Sequence, residues 1–336
     1  MTTIFALLSV IAGFFLLIKG ADWLVEGSSS IARRIGISDL VIGLTIVSFG
    51  TSAPELLVNI FASLRGSADI AIGNIVGSNI SNTLLILGTT AIIAPLAVQK
   101  STVFKEIPFC LLAALVLFFM ANDTLVDGYA LSELGRGDGI VFMGFFIIFM
   151  YYTFGIRKNN VNAEDGHTKA KISKWLATGL ILLGLAGLTI GGEFTVRGAV
   201  QLAKLLGLSE AFIGLTIVAL GTSLPELSTS IIAALKGKSD IAVGNIIGSN
   251  IFNIFWILGI SSVIRPLPFN PELINVDLLV VVASTIALFI FIHTGHIPRR
   301  VFLWWKQKDG HMLSRPEGIM LLSSYVAYIV FVSWRG

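Results

Sequence analysis

Residues 43–56 read GLTIVSFGTSAPEL, and residues 214–227 read GLTIVALGTSLPEL. A second pair of stretches, DIAIGNIVGSNISN at 69–82 and DIAVGNIIGSNIFN at 240–253, keeps the same offset of 171 residues. Working outward, 41–96 aligns on 212–267 without a gap, with 33 identities in 56 positions. Apolar segments share Leu and Ile by chance, but not Pro, Glu, Asp and Asn at fixed spacing; the chain is an internal duplication. The register continues weakly upstream, where Gly20, Asp22 and Gly27 face Gly191, Glu193 and Gly198. Near the end of each half, RGDGI (136–140) matches RPEGI (315–319) at a slightly longer offset.

The composition says where such a repeat lives. Of 336 residues, 55% are hydrophobic and 13% charged, and the mean hydropathy is +0.87. A soluble domain carries about 25% charged residues, so too few remain here to solvate a surface. Apolar stretches recur at the length a membrane helix needs, which predicts spans near 3–24, 40–63, 70–95, 104–122, 137–156, 175–197, 211–235, 241–264, 276–294 and 316–334. The first has no Lys or Arg ahead of it, unlike a secretory signal, and reads as a retained span. Between the fifth and sixth lies the most hydrophilic segment, RKNNVNAEDGHTKAKISK (157–174). The expected organisation is a first five-helix repeat over 1–156, a linker over 157–174 and a second repeat over 175–336.

Five spans is an odd number, so the second repeat must cross the membrane in the opposite sense. The expected fold is an all-α membrane protein of ten transmembrane helices, two inverted five-helix repeats with helices broken at the midplane. Under that topology sixteen Lys and Arg fall on one side and six on the other, with Lys19 at the end of the first span. The positive-inside rule then places the linker in the cytoplasm and both termini outside. The net charge of +3 is scattered along the chain, which suits orientation in a bilayer and predicts no nucleic-acid partner. Inverted repeats characterise secondary transporters, whose substrates bind near the midplane where the repeats meet.

Glu55 and Glu226 hold equivalent repeat positions deep within spans that contain no Lys or Arg before their ends. A carboxylate at the bilayer centre costs at least about 2.5 kcal/mol on insertion scales, so a symmetry-related pair points to function. Each follows a proline, Pro54 or Pro225, whose ring crowds the carbonyl four residues back, at Gly50 or Gly221. The helix should kink or break there, which membranes tolerate only where the break is buried or lines a cavity. By helical spacing Ser48, Thr51, Ser52 and Glu55 share one face, and Ala219, Thr222, Ser223 and Glu226 share its mate. In the next span of each half, Asn74, Ser78 and Asn82, or Asn245, Ser249 and Asn253, form one stripe, either ion ligands or interhelical hydrogen bonds. Gly73 with Gly77, and Gly244 with Gly248, offer surfaces for close helix approach. The donor set is all oxygen. The single cysteine, Cys110, and the four histidines (His167, His293, His296 and His311) lie elsewhere, so zinc or copper is not indicated. Oxygen donors with charge −2 suit Ca²⁺ or Na⁺.

GTSAPE with GNIVGSNISN, and GTSLPE with GNIIGSNIFN, resemble the paired α-repeats of the sodium/calcium exchanger family in the calcium/cation antiporter superfamily, of the prokaryotic type. The resemblance implies an antiporter working by alternating access without ATP or any cofactor, with Ca²⁺ and Na⁺ as transported ions, the lipid bilayer as its surroundings and a monomer as the working unit. It implies Glu55 and Glu226 as central ligands of both ions. Thr51, Ser52, Thr222, Ser223, Ser78 and Ser249 would add oxygens, and the carbonyls of Ser48 and Ala219 would complete flanking Na⁺ sites. Many relatives carry Asp where this chain has Asn82 or Asn253, which argues against a K⁺ co-transport step and a third protonatable group. Three rivals stay open: a proton-driven Ca²⁺ antiporter using the same glutamates, a channel, and an intramembrane hydrolase. The last is weakest, since Ser52 and Ser223 have no His in their spans and no G-x-S-x-G occurs.

Overall fold

The computed structural model describes residues 3–155, 172–206, 219–293 and 310–335. In chain order the principal helices are α1 (Thr3–Ile35), α2 (Asp39–Thr51), α3 (Ala53–Arg65), α4 (Ala68–Ile93), α5 (Thr102–Met120), α6 (Arg136–Gly155), α7 (Lys174–Leu205), α8 (Leu224–Leu235), α9 (Ser239–Ile264), α10 (Pro271–His293) and α11 (Arg315–Arg335). Eight of them are long and apolar enough to cross a membrane, and α2 with α3, bent by 48° at their junction, make a ninth if the pair is one span. The expected span near 211–235 begins outside the described residues; its described part is one turn at Ala219–Gly221 followed by α8. Of the linker over 157–174, only its last residues, from 172, are described.

The chain divides into two compact units, and each draws on both sequence repeats. The first comprises Met1–Pro54 and Met150–Asn245. Its frame is α1 against α7, two repeat-equivalent helices of 33 and 32 residues. At 1.5 Å per residue each is about 50 Å long, well beyond a hydrocarbon core of about 30 Å. Helix α1 runs on past the expected end near residue 24, and Asp22 there is paired with Lys236 at 2.6 Å. The helix stops where Gly36 takes φ +67° and Ile37 N–H reaches back to the Ala32 carbonyl, the left-handed glycine ending that closes many helices.

Glycines bring α1 and α7 together. A Cβ at Gly20 would lie 2.8 Å from the Gly184 carbonyl oxygen, and one at Gly191 would lie 2.8 Å from that of Gly13. Real side chains do not approach so closely, so the backbones touch only because these residues are glycine. Gly27 lies against Ala177 while Gly198 lies against Ala6, so the two helices run antiparallel.

The second unit comprises Glu55–Phe149 and Ile246–Gly336. Here strands and helices pair across the repeats. Strand β1 (Leu96–Val98) pairs antiparallel with β4 (His311–Leu313), and β2 (Ser132–Leu134) with β3 (Leu267–Phe269). Helix contacts follow the same exchange: α4 meets α11 where a Cβ at Gly318 would lie 2.8 Å from the Gly88 carbonyl, and α9 meets α6 at Gly259 and Gly139. The aromatic core around Phe255 stacks Phe145 at 5.2 Å and draws in Phe109 and Phe142.

Candidate functional site

Both Pro-Glu spans are interrupted two or three residues before the proline. Helix α2 ends at Thr51, and Ser52, at φ −83° and ψ 8°, caps it with its N–H still bonded to the Ser48 carbonyl before α3 starts. In the other repeat Thr222 and Ser223 form a turn ahead of α8. Pro54 and Pro225 therefore sit in the first turn of a new helix, where a missing N–H has no helical partner to lose. The kink or break expected at Gly50 and Gly221 falls one or two residues later, just ahead of each proline. Hydroxyls soften the approach. Thr45 donates to the Val41 carbonyl at 2.7 Å and Ser48 to that of Thr45 at 3.2 Å, bonds that bend helices. Residues Gly43–Val47 are π-helical. Glu55 and Glu226 lie in the first turn of their half-helices, where free N–H groups and the helix dipole favour negative charge.

In the first unit, the Glu226 carboxylate is buried; its Oε1 accepts the Ser52 hydroxyl at 3.1 Å. Its Oε2 has no partner among the described residues. The single Thr51 hydroxyl proton is within reach of two acceptors, Asn245 Oδ1 at 3.0 Å and the Ser48 carbonyl at 3.3 Å. The Ser48 carbonyl also accepts the Ser52 N–H at 3.0 Å. Asn245 Nδ2 donates to Ser230 Oγ at 3.1 Å and to the Glu226 carbonyl at 3.4 Å. Asn245 thus serves in interhelical hydrogen bonding. The Ser223 hydroxyl is buried and unpartnered among the described residues, Thr222 is half-buried, and Ala219 opens the short turn.

In the second unit, Glu55 is fully buried, and Asn59 Nδ2 donates to its main-chain carbonyl at 3.1 Å. Ser78, Asn82, Ser249 and Asn253 are buried. The last turns of the Asn stripes are π-helical at equivalent places, Ser81–Ile86 and Phe252–Leu258; such widened turns recur at functional sites. Asn82 Nδ2 donates to Asn250 Oδ1 at 3.0 Å; Asn253 Nδ2 donates to Asn79 Oδ1 at 2.9 Å and to Ser78 Oγ at 3.2 Å. The Oδ1 atoms of Asn82 and Asn253 and the Ser249 hydroxyl find no partner among the described residues.

Asn74 is half-buried where its mate Asn245 is wholly buried. A Cβ built at Gly244 would meet the Leu40 carbonyl at 3.0 Å, whereas the segment that corresponds to Leu40 in the other repeat lies outside the described residues. The expected close approach is therefore found at Gly244. Sequence reading passed over Asn59, Asn79, Ser230 and Asn250. Asn59 could have been found, since it lies four residues beyond Glu55 and so on its face.

Duplicated broken helices, each presenting a buried carboxylate, with hydroxyl and amide oxygens in both units, define a polytopic membrane protein that handles hard cations. Sequence comparison agrees. The Sodium/calcium exchanger protein family profile matches residues 5–155 and 176–334. CaxA of Alkalimonas amylolytica is 38% identical over 330 residues, spanning 96% of this chain and 97% of that protein. Sodium/calcium exchanger MaX1 of Methanosarcina acetivorans is 33% identical over 357 residues, spanning 96% and 97%. A solved structure of the sodium-calcium exchanger NCX_Mj, soaked with 10 mM Na⁺ and zero Ca²⁺, superposes with a TM-score of 0.80 at 32% identity, over 98% of this chain and 99% of that one. The chain belongs to the sodium/calcium exchanger family, and so to the transporters rather than the enzymes.

Proposed function

We propose that the protein exchanges Na⁺ for Ca²⁺ across the membrane by alternating access, as a monomer. The observation that carries the proposal is the Glu226 carboxylate, buried in a membrane span with one oxygen held by Ser52 and the other without a partner among the described residues. A carboxyl placed there against its desolvation cost supports a role as a cation ligand. Glu55 and Glu226 act as the two charged ligands, and together they balance one Ca²⁺ or two Na⁺. Hydroxyls of Thr51, Ser52, Thr222, Ser223, Ser78 and Ser249 and the amide oxygens of Asn82 and Asn253 fill the shell with neutral oxygens, as hard cations require. The Ser48 and Ala219 carbonyls serve flanking Na⁺ sites, Ser48 once the Thr51 hydroxyl turns away.

The test is Ca²⁺ uptake into proteoliposomes loaded with Na⁺. An outward Na⁺ gradient is expected to drive uptake, and choline in its place to abolish it. Equal uptake under both conditions would remove Na⁺ coupling, and uptake driven by internal acid in Na⁺-free buffer would establish the proton-driven alternative. A third Na⁺ per cycle would move net charge and make the rate respond to membrane potential.

The repeats 1–156 and 175–336 are proposed to be inverted, with the 157–174 linker cytoplasmic and both termini outside, in the inner membrane. The antiparallel packing of α1 on its repeat mate α7 supports the inversion, and the sixteen-to-six charge division supports the sidedness. Cysteines introduced at His311 and Gly336 are expected to label with impermeant reagents from opposite sides. Labelling of both from one side refutes this topology.

A further inference from the structure

Four asparagines in the second unit form a closed arrangement that the offset of 171 maps onto itself: Asn82 falls on Asn253 and Asn79 on Asn250. In both pairs the direction is the same. Asn82 and Asn253 spend N–H groups on the Oδ1 of Asn250 and Asn79, at 3.0 and 2.9 Å, and keep their own Oδ1 unpartnered among the described residues. Both side chains are fully buried. An orphaned buried carbonyl costs about 1–3 kcal/mol, so an arrangement that produces two, symmetrically, calls for a reason.

The direction has a chemical origin. Asn79 Nδ2 donates to the main-chain carbonyl of Asn250 at 3.3 Å. A main-chain carbonyl only accepts, so it pins the nitrogen end of Asn79 and leaves Asn79 Oδ1 facing Asn253. Asn253 can meet that oxygen only with its own N–H, and its other N–H is taken by Ser78 Oγ at 3.2 Å. Its oxygen must therefore face the other way. On the second pair, Asn250 Nδ2 donates to Thr83 Oγ1 at 3.0 Å. A hydroxyl can also donate, so this orientation is less rigidly imposed.

We infer that Asn79 and Asn250 are positioning residues that fix the amides of Asn253 and Asn82 with oxygen, and never nitrogen, toward the transported cation. The inference rests on Asn82 and Asn253 being ligands, as proposed above. An amide free to rotate presents N–H to a cation in part of its population, which raises the ion concentration needed without slowing the loaded carrier.

The test is a double-mutant cycle on Ca²⁺ uptake in proteoliposomes, at matched folded protein. Asn253→Ala is expected to raise KM for Ca²⁺ by about tenfold and Asn79→Ala by about fivefold, with maximal rates within about twofold of wild type. Because Asn79 acts through Asn253, the double variant should be no worse than Asn253→Ala alone; independent effects would multiply to about fiftyfold. Multiplying effects, or a fall in maximal rate with KM unchanged in Asn79→Ala, overturn the positioning role. An unchanged KM in Asn253→Ala instead overturns the ligand reading beneath it. If Asn79→Ala fails to insert, Asn79→Ser and the equivalent cycle of Asn250→Ala with Asn82→Ala carry the same test. On that second pair the single Asn250 effect should be the smaller.

Discussion

Glu55→Gln and Glu226→Gln are each expected to lower Ca²⁺ transport by at least about tenfold at matched expression. Glutamine keeps the shape of the side chain, and at position 226 it keeps an oxygen for the Ser52 hydroxyl, now 3.1 Å away. What it removes is charge. A unit charge about 2.5 Å from Ca²⁺ is worth about 13 kcal/mol at an effective dielectric constant of 20, before desolvation is subtracted. Ion hydration offsets most of that, and a remainder of about 1.4 kcal/mol is enough for a factor of ten. The loss should appear chiefly as weaker Ca²⁺ binding, since a site of charge −1 leaves a divalent ion uncompensated. Thermal stability of the ion-free protein should not fall, because neutralising a buried charge relieves its desolvation cost. Near-normal Ca²⁺ transport in either variant rejects that glutamate as a ligand; transport lost together with ion-free stability means that the side chain was holding the fold.

The repeat made most of this visible in advance. Two copies of Pro-Glu at equal spacing located both helix breaks, and the structure moves each only to the residues just ahead of the proline. The length of α1 was not legible, because Asp22 looks like a span end until Lys236 is seen beside it. Nor were the β1–β4 and β2–β3 ribbons: three residues per strand carry no periodicity, and each strand's partner lies in the other repeat. Asn79 and Asn250 escaped for a related reason. Spacing along one helix gives the stripe Asn74, Ser78, Asn82, whereas Asn79 matters through Asn253 on another helix, 174 residues away. The π-helical turns at Ser81–Ile86 and Phe252–Leu258 depend on packing and have no propensity signal of their own. Duplication thus reveals which residues correspond, and leaves open which of them touch.

Asn253→Asp is expected to make transport fall more steeply toward alkaline pH than it does in the wild type. Wild-type flux should also proceed with K⁺ absent from both sides, since Asn82 and Asn253 add no charge that a further monovalent ion must balance. The new carboxyl at 253 would replace an N–H that now lies 2.9 Å from Asn79 Oδ1. Asn79 cannot turn over to offer its own N–H without giving up the Asn250 carbonyl. An ionised carboxylate there sets two oxygens against each other with no proton between them; a protonated one donates its O–H and still presents its other oxygen outward, as the asparagine does. Burial, the facing carbonyl and the negative charge of the ion ligands all favour the proton and raise the carboxyl's pKa. The variant therefore works below that pKa and loses its ligand geometry above it, so its inhibition runs toward alkaline pH. Uptake measured as a function of pH, with and without K⁺, decides the matter. A pH response identical to wild type removes position 253 from the ion site. Flux that becomes K⁺-dependent at constant pH means that the carboxylate stays ionised and recruits a cation, which requires that the Asn79 amide has turned.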